Sequence, residues 1–318
     1  MSYRIYGLTL ESAEPLPELA SASISPLGRV CDVRFRREAS SLPLRPERWF
    51  MHWRLPTGEP WLSAARGSDG YALRFHGLAD FLLDAGGREI VCTHSACHGS
   101  PETVRHLLID HVLPLVLNLR GVEALHASAV LAGAGAIVFT GPSGAGKSTI
   151  AAEFARAGDA VLADDCVAVL ASAGRFRVLP AYPGLRLRRD AMGRLGAIGN
   201  DAPLAGYTDK RRLALGVAGS GAPREPHPLL AVYALDDVHA AEFAVRALAP
   251  RDAAMELLSR AFRFEIEDRA MLARQLDFFA RVAMDVPVFR VSAPRDLDRL
   301  PELRRAIRAH VAARGVSK

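Results

Sequence analysis

A chain of 318 residues, half of them hydrophobic and with a net charge of +5, can fill a core and has length for about two domains. That composition excludes a disordered chain, and four scattered cysteines exclude a disulfide scaffold and point to a reduced, cytoplasmic setting. The basic excess is arginine, with Lys only at 147, 210 and 318, and no Lys/Arg block interleaves with aromatics, so no nucleic-acid partner is expected. The first residues carry no signal-peptide core. The uncharged run 124–146 is long enough to span a bilayer but holds His126 and several glycines, so it reads as buried strand and no membrane segment is expected.

In chain order, residues 1–99 read as an N-terminal β-rich domain. Short β-branched or aromatic runs fall at 3–10, 31–35, 49–55, 71–75 and 89–93, with a hairpin-like turn at 84–88. Residues 100–318 read as a second, nucleotide-binding domain. Ser100, Pro101 and Glu102 suit a helix start. Val104, Leu107, Leu108, Val112, Leu115, Val116 and Leu119 then share one face, Pro114 predicts a kink, and Gly121 ends the helix. His106 and His111 read as ordinary surface or interface residues. Strands follow at 125–131 and 136–139, then a helix from 149, a strand at 160–163, and strands at 166–170 and 176–179. Residues 182–221 are irregular, rich in Gly and Arg, and read as loops over a site. Strands at 229–235, 243–248 and 288–291 alternate with helices at 251–263, 267–284 and 297–314. The order implies an α/β fold with an α+β mixed sheet, an N-terminal β-rich part and closing helices.

The strongest motif is Gly141-Pro142-Ser143-Gly144-Ala145-Gly146-Lys147-Ser148-Thr149, which fits the P-loop pattern at every fixed position and lies between a strand and a helix. Glycines let backbone N–H groups turn inward, and the helix N-terminus adds partial positive charge, so Gly141, Ser143, Gly144, Ala145, Gly146, Lys147, Ser148 and Thr149 read as binding the phosphates of ATP. Lys147 reaches the β- and γ-phosphates and Ser148 ligates Mg²⁺ in that pattern. One short helix later come Asp164 and Asp165. A strand beside the P-loop strand would end them near the γ-phosphate, one serving Mg²⁺ and the other accepting a proton from an attacking hydroxyl. Adjacent strand residues face opposite ways, so the two acids divide the tasks. His126, one strand earlier, falls within reach of Asp164 if a hairpin joins the strands.

His126-Ala127-Ser128-Ala129, the P-loop and Ala163-Asp164-Asp165, in this order and spacing, resemble the HPr kinase/phosphorylase superfamily, whose nucleotide fold is shared with phosphoenolpyruvate carboxykinase. The sequence is most similar to the HPr-kinase-related proteins that include lasso-peptide kinases. Tyr6-Gly7-Leu8, Pro183-Gly184-Leu185-Arg186-Leu187, Asp209-Lys210-Arg211-Arg212-Leu213 and Pro294-Arg295-Asp296-Leu297 extend the likeness over most of the chain. It implies ATP-dependent phosphorylation of a hydroxyl, with Ser favoured, on a peptide or small protein such as a ribosomally made precursor. By motif, Asp164 would be the base, His126 would support it or the phosphate, and Asp165 would serve the metal with Ser148 or hold a basic residue. Lys210, Arg211 and Arg212 would approach the phosphates or an acidic tail. The further glycine-rich signature of the bifunctional HPr kinases, with its metal-binding Glu, has no counterpart at 182–190. Neither HPr as acceptor nor the reverse phosphorylase reaction is therefore carried over, and a second metal ligand stays unassigned.

Two other functions fit the same motifs. A small-molecule or carboxykinase-like enzyme would use the basic run 210–212 for a carboxylate. A non-catalytic ATP-binding adaptor would need the P-loop but not the acids or His126. The run Cys92, His94, Cys97, His98 is metal-capable but fits no standard zinc spacing. Homo-oligomerisation is left open.

Overall fold

The computed structural model describes residues 1–25, 28, 30–38, 48–55, 57–93, 99–196, 199–215, 224–236, 240–263 and 268–314; His94, Cys97 and His98 lie outside them. Within these residues the chain is a mixed α/β structure built on three sheets.

The first sheet has nine strands, in the spatial order Ser23–Ile24, Ser2–Ile5, Leu8–Ser12, Val33–Glu38, Glu89–Thr93, Ala79–Asp84, Gly70–Phe75, Pro60–Gly67, Arg48–Arg54. Val33–Glu38 runs parallel to both its neighbours, and the remaining pairs are antiparallel. The apolar run 3–10 is two strands. Tyr6 and Gly7 take φ of 52° and 75°, a two-residue turn whose twist suits a hairpin. At the other expected turn, Asp84 Oδ1 accepts from the N–H groups of Arg88 (2.6 Å) and Glu89 (2.7 Å), which ties the chain back on itself.

The helical segment begins where its sequence requires, with the Thr103 N–H donating to Ser100 Oγ at 3.3 Å. It is α-helical over Pro101–Leu107 and Leu113–Leu119, with a wide π-turn at Leu108–Val112 between. Pro114 has no N–H to donate to the carbonyl of Asp110, and the helix answers by widening in the preceding turn. Its apolar face, including Leu107, Leu108, Val112 and Val116, is fully buried. It shares one core with Phe35, Phe75 and Phe81 of the first sheet and Leu125, Val167 and Val178 of the second. Each such side chain contributes about 1.5–3 kcal/mol on burial.

The second sheet carries the glycine loop. Gly135–Thr140 lies at its centre, parallel to His227–Leu235 and antiparallel to Ser128–Ala132, and is buried throughout. Val288–Ser292 adds in parallel to the far end of His227–Leu235, and Ala244–Ala247 adds to that. Two expectations change here. The strand over 125–131 is broken at His126 and Ala127: Glu123–Leu125 pairs with Val167–Ser172, and Ser128–Ala132 pairs with the loop strand. Val161–Ala163, which leads to the two acids, is not beside the loop strand. The tight hairpin at Gly133-Ala134 places Ser128–Ala132 between them.

The region 182–221 is not only loop. Gly184–Leu187, Arg211–Leu215 and Gly199–Pro203 form a three-stranded sheet, and Arg189–Leu195 is a helix. Its ladders join residues far apart in the chain, such as Gly184 with Ala214, so no local pattern announces them. The helices Lys147–Arg156 and Leu300–Arg314 pack together over a second core of Ile137, Phe139, Phe154, Tyr233, Phe289 and Ile307. Among the described residues no helix is long and apolar enough to cross a membrane.

Candidate functional site

Strand Gly135–Thr140 delivers the loop 141–146, and helix Lys147–Arg156 carries it away. Gly141, Gly144 and Gly146 take φ of 143°, 83° and 95°, conformations that favour glycine. At Gly141 the need is also steric, because a Cβ there would fall 2.6 Å from the carbonyl oxygen of Leu235. Lys147 folds back over the loop, its Nζ donating to the carbonyls of Gly141 and Pro142, each at 3.0 Å. Burial holds its ammonium below the ordinary lysine value, opposed by the charges of Asp165 and Asp164.

The two acids have unlike surroundings. Strand Val161–Ala163 ends just before them, and Asp165 takes φ of 69°, a left-handed conformation that Asp tolerates better than most residues. This bend, rather than strand alternation, sends the side chains different ways. Asp164 is 2% exposed. Its Oδ1 accepts from Ser128 Oγ (2.5 Å) and Ser148 Oγ (2.9 Å), and its Oδ2 from the Arg186 N–H (2.8 Å). Asp165 reaches the open site. Its Oδ1 lies 3.7 Å from His126 Nδ1, and its Oδ2 lies 3.7 Å from Arg186 Nε. Burial alone would raise the Asp165 carboxyl, but Arg186 and His126 outweigh it and hold it below the usual carboxylate value. His126 Nδ1 is 3.1 Å from the carbonyl oxygen of Asp165, which can only accept, so Nδ1 carries the proton and Nε2 is the ring's acceptor. Burial depresses its pKa, against the raising effect of Asp165.

Beneath the acids lies a bed of buried ions. Arg186, 2% exposed, donates from Nε to Asp110 Oδ2 (3.0 Å), from Nη2 to Asp110 Oδ1 and Tyr182 Oη, and from Nη1 to the Asp164 carbonyl (2.6 Å). Asp110 sits in the π-turn and also meets His106 Nδ1 (2.5 Å) and Arg212 Nη2 (3.3 Å). Burial pushes the Asp110 carboxyl up, but Arg186, His106 and Arg212 hold it well below the usual range. Arg212 continues to Glu18 at 3.6 Å, which accepts from Arg105 Nε at 2.8 Å. One ionic chain thus runs from Glu18, in the 3-10 turn Pro17–Ala22, to the acid pair. Of His106 and His111, expected as ordinary surface or interface residues, His106 is buried and His111 half-buried at the edge of this interior. His106 bonds to Asp110, and the His111 ring packs among Trp61, Phe75 and His106.

Loop residues Ser143 to Thr149 line a cavity of about 580 Å³ together with His126, Asp165, Arg186 and Lys210. Asp164 stands behind it, bonded to Ser148. Of the basic run 210–212, Lys210 faces the cavity. Arg211 is turned to Asp201, and Arg212 is buried against Asp110 and Glu18, so neither approaches the loop. Asp110 and Tyr182 escape a reading of motifs. Arg186 carries a local signal: an arginine between Leu185 and Leu187 in an otherwise apolar strand must be paired if buried. Of the residues 92, 94, 97 and 98, Cys92 is described, and it is a buried strand residue.

The donor set near the loop is one of hard oxygens. The Ser148 hydroxyl and the carboxylates of Asp164 and Asp165 suit Mg²⁺, which prefers oxygen ligands and keeps several waters.

No family model and no curated protein matches the chain. Among solved structures, the chain is similar to the Hpr(Ser) kinase/phosphatase from Coxiella burnetii at 9% sequence identity, covering 60% of this chain and 97% of that one, with a TM-score of 0.30. At that score the likeness is distant, and the chemistry has to be read from the site itself.

Proposed function

We propose that this protein is an ATP-dependent phosphotransferase that moves the γ-phosphoryl group to a hydroxyl, with the serine of a peptide or small protein as acceptor. The observation that carries this reading is the convergence of Lys147, Ser148, Asp165 and His126 on one cavity over a glycine loop at a helix N-terminus. The loop amides and Lys147 bind the polyphosphate, Lys147 exchanging its two carbonyl partners for phosphate oxygens. Mg²⁺, when bound, neutralises charge on the phosphates, and Ser148 with Asp164 would hold it.

The resemblance assigns the base to Asp164 and the metal to Asp165. We propose the reverse emphasis. Asp164 is buried and committed to Ser128, Ser148 and the Arg186 amide, whereas Asp165 is ionised, faces the cavity and has His126 beside it. An ionised carboxylate in contact with the acceptor hydroxyl takes its proton as the oxygen attacks. His126 keeps Asp165 oriented and charged, and Lys210 adds positive charge where the transferring group spreads its own.

The test is transfer of label from γ-labelled ATP, with Mg²⁺, to a degenerate serine-centred peptide library, read by mass spectrometry. Labelled peptide in the wild type, absent in Lys147→Ala, supports the reading. ATP binding with no transfer to any peptide or to water argues for an adaptor instead.

A further inference from the structure

At the seam between the first sheet and the acid side of the cavity lie aromatic rings that phosphoryl transfer leaves without a task. Trp61, on strand Pro60–Gly67, has its ring centroid 4.6 Å from that of Tyr207 and 6.1 Å from that of His111. Tyr207 also packs on His106, at 5.9 Å. Trp61 and His111 are half-buried and Tyr207 is 38% exposed, so the rings form a shelf with one side open and not a closed core. Among the described residues, the Trp61 N–H, the Tyr207 hydroxyl and the His111 ring nitrogens have no hydrogen-bond partner. Aromatic rings with spare polar ends are the residues enriched where a protein or peptide docks. We infer that this shelf receives an apolar side chain of the acceptor about two to three residues from its serine, so that the acceptor is an extended peptide segment and not a small metabolite. The inference rests on the phosphotransferase reading above and adds what the enzyme recognises beside the hydroxyl.

The spacing follows from the chain. Lys210 lines the cavity with Asp165, and Tyr207 comes three residues before it. An extended chain advances at most about 3.6 Å per residue, so the Cα atoms of Tyr207 and Lys210 stand no more than about 11 Å apart. The Lys210 N–H, donating to Thr208 Oγ1 at 3.3 Å, folds the step shorter still. A peptide with its serine at Asp165 covers that span in about two to three residues. The acid also acts on both rings. Burial pushes the Tyr207 hydroxyl up, and the charges of Asp110 and Asp165 push it the same way. Burial pushes His111 down, with Asp110 and Asp165 opposing. The neutral His111 ring therefore offers a peptide one donor and one acceptor.

The shelf is held in place before any peptide arrives. The Gly206 N–H donates to Thr103 Oγ1 at 3.0 Å, which ties the segment carrying Tyr207 to the helix that supplies His106. Trp61 is braced from the core side by Phe75, with ring centroids 5.7 Å apart. A preformed surface spares the cost of ordering it on binding. Charge does not make the selection. Asp209 is exposed between Tyr207 and Lys210, and neither Asp209 nor Lys210 has an ion pair among the described residues. The rim thus carries one charge of each sign, and discrimination falls to the aromatic area.

The experiment gives the full chain, as wild type and as Tyr207→Ala, a serine-centred peptide library with γ-labelled ATP and Mg²⁺, and sequences the labelled peptides by mass spectrometry. The wild type is expected to enrich aromatic or large aliphatic residues at the positions given above. On the most enriched peptide, Tyr207→Ala is expected to raise KM about tenfold, with kcat and ATP affinity close to wild type, and to label the library without that preference. Unchanged ATP affinity also shows that the variant is folded. If Tyr207→Ala loses ATP binding, Trp61→Leu is read in the same way. A wild type that labels peptides with no preference at those positions overturns the inference and leaves the phosphotransferase reading standing. So do variants that keep both the preference and the wild-type KM. A wild type that labels no peptide overturns the parent reading, and this one with it.

Discussion

The two flanks of the glycine loop are built on opposite principles. On the side of Asp164 and Asp165, the structure is held by charge: Arg186 and Asp110 are fully buried, and each is surrounded by partners. On the side of Leu235 and Val291 it is held by apolar packing among Phe139, Tyr233, Phe289 and Ile307. A buried ion forfeits its hydration whatever its neighbours do, so the charged flank is sound only while every partner is present. An apolar flank loses stability in proportion to what is removed. The charged flank can hold a carboxylate at a fixed place and charge, which apolar packing cannot do. Their difference therefore predicts where substitution hurts.

The largest effect is expected at Asp165. Asp165→Asn should lower phosphoryl transfer by about 10²–10⁴-fold, with nucleotide affinity close to wild type. Asp164→Asn should instead weaken Mg²⁺ binding, measured by titration with the metal in the presence of nucleotide. If Asp164→Asn abolishes transfer without touching metal affinity, and Asp165→Asn does the opposite, the roles assigned to the two acids are exchanged.

Next comes the ionic bed itself. Arg186→Met leaves Asp110 buried among His106 and Arg212 with its main partner gone, and should cost about 3–5 kcal/mol in urea unfolding. The double variant Arg186→Met/Asp110→Leu should recover part of that loss, because it removes the stranded charge too. A double variant less stable than Arg186→Met alone would contradict the account of this flank.

The apolar flank should respond more gently. Ile307→Val removes one methylene from a fully buried site and should cost about 0.5–1.5 kcal/mol by the same unfolding measurement. Its effect on transfer should be small.

A last effect, read as a slope with pH and not at a single pH, is expected next to the charged flank. Burial pushes His111 down to about 4 from the ordinary 6.5. The unfolded chain then binds the proton first as pH falls, so the contribution of His111 is complete above pH 6.5 and is lost as pH falls toward 4. His111→Leu should flatten the fall in stability across that window. The slope should be unchanged if the ring is freely solvated in the folded protein.

Much of the site could be read along the chain because its parts are local. The loop, Lys147 and Ser148 are contiguous, and Asp164 and Asp165 follow after one helix. The break at His126 could not be read, since an apolar run looks alike whether one strand or two pass through it. Nor could the place of Ser128–Ala132: a strand over 125–131 was legible, but not that it would stand between the acids' strand and the loop strand and still leave Asp164 within bonding distance of Ser148. The sheet at 184–215 was hidden for a related reason, because its strands are defined by partners and not by their own periodicity.

By itself, the order of residues determined that a glycine-rich loop would stand between a strand and a helix, because glycine at 141, 144 and 146 and lysine at 147 act through their immediate neighbours. Tertiary structure alone decided which acid faces the cavity and that Arg212 supports Asp110 instead of facing the cavity with Lys210. Those outcomes depend on contacts between residues many tens of positions apart, such as Arg186 with Asp110. Only a folded chain brings such groups within reach of one another, where burial makes their charges matter.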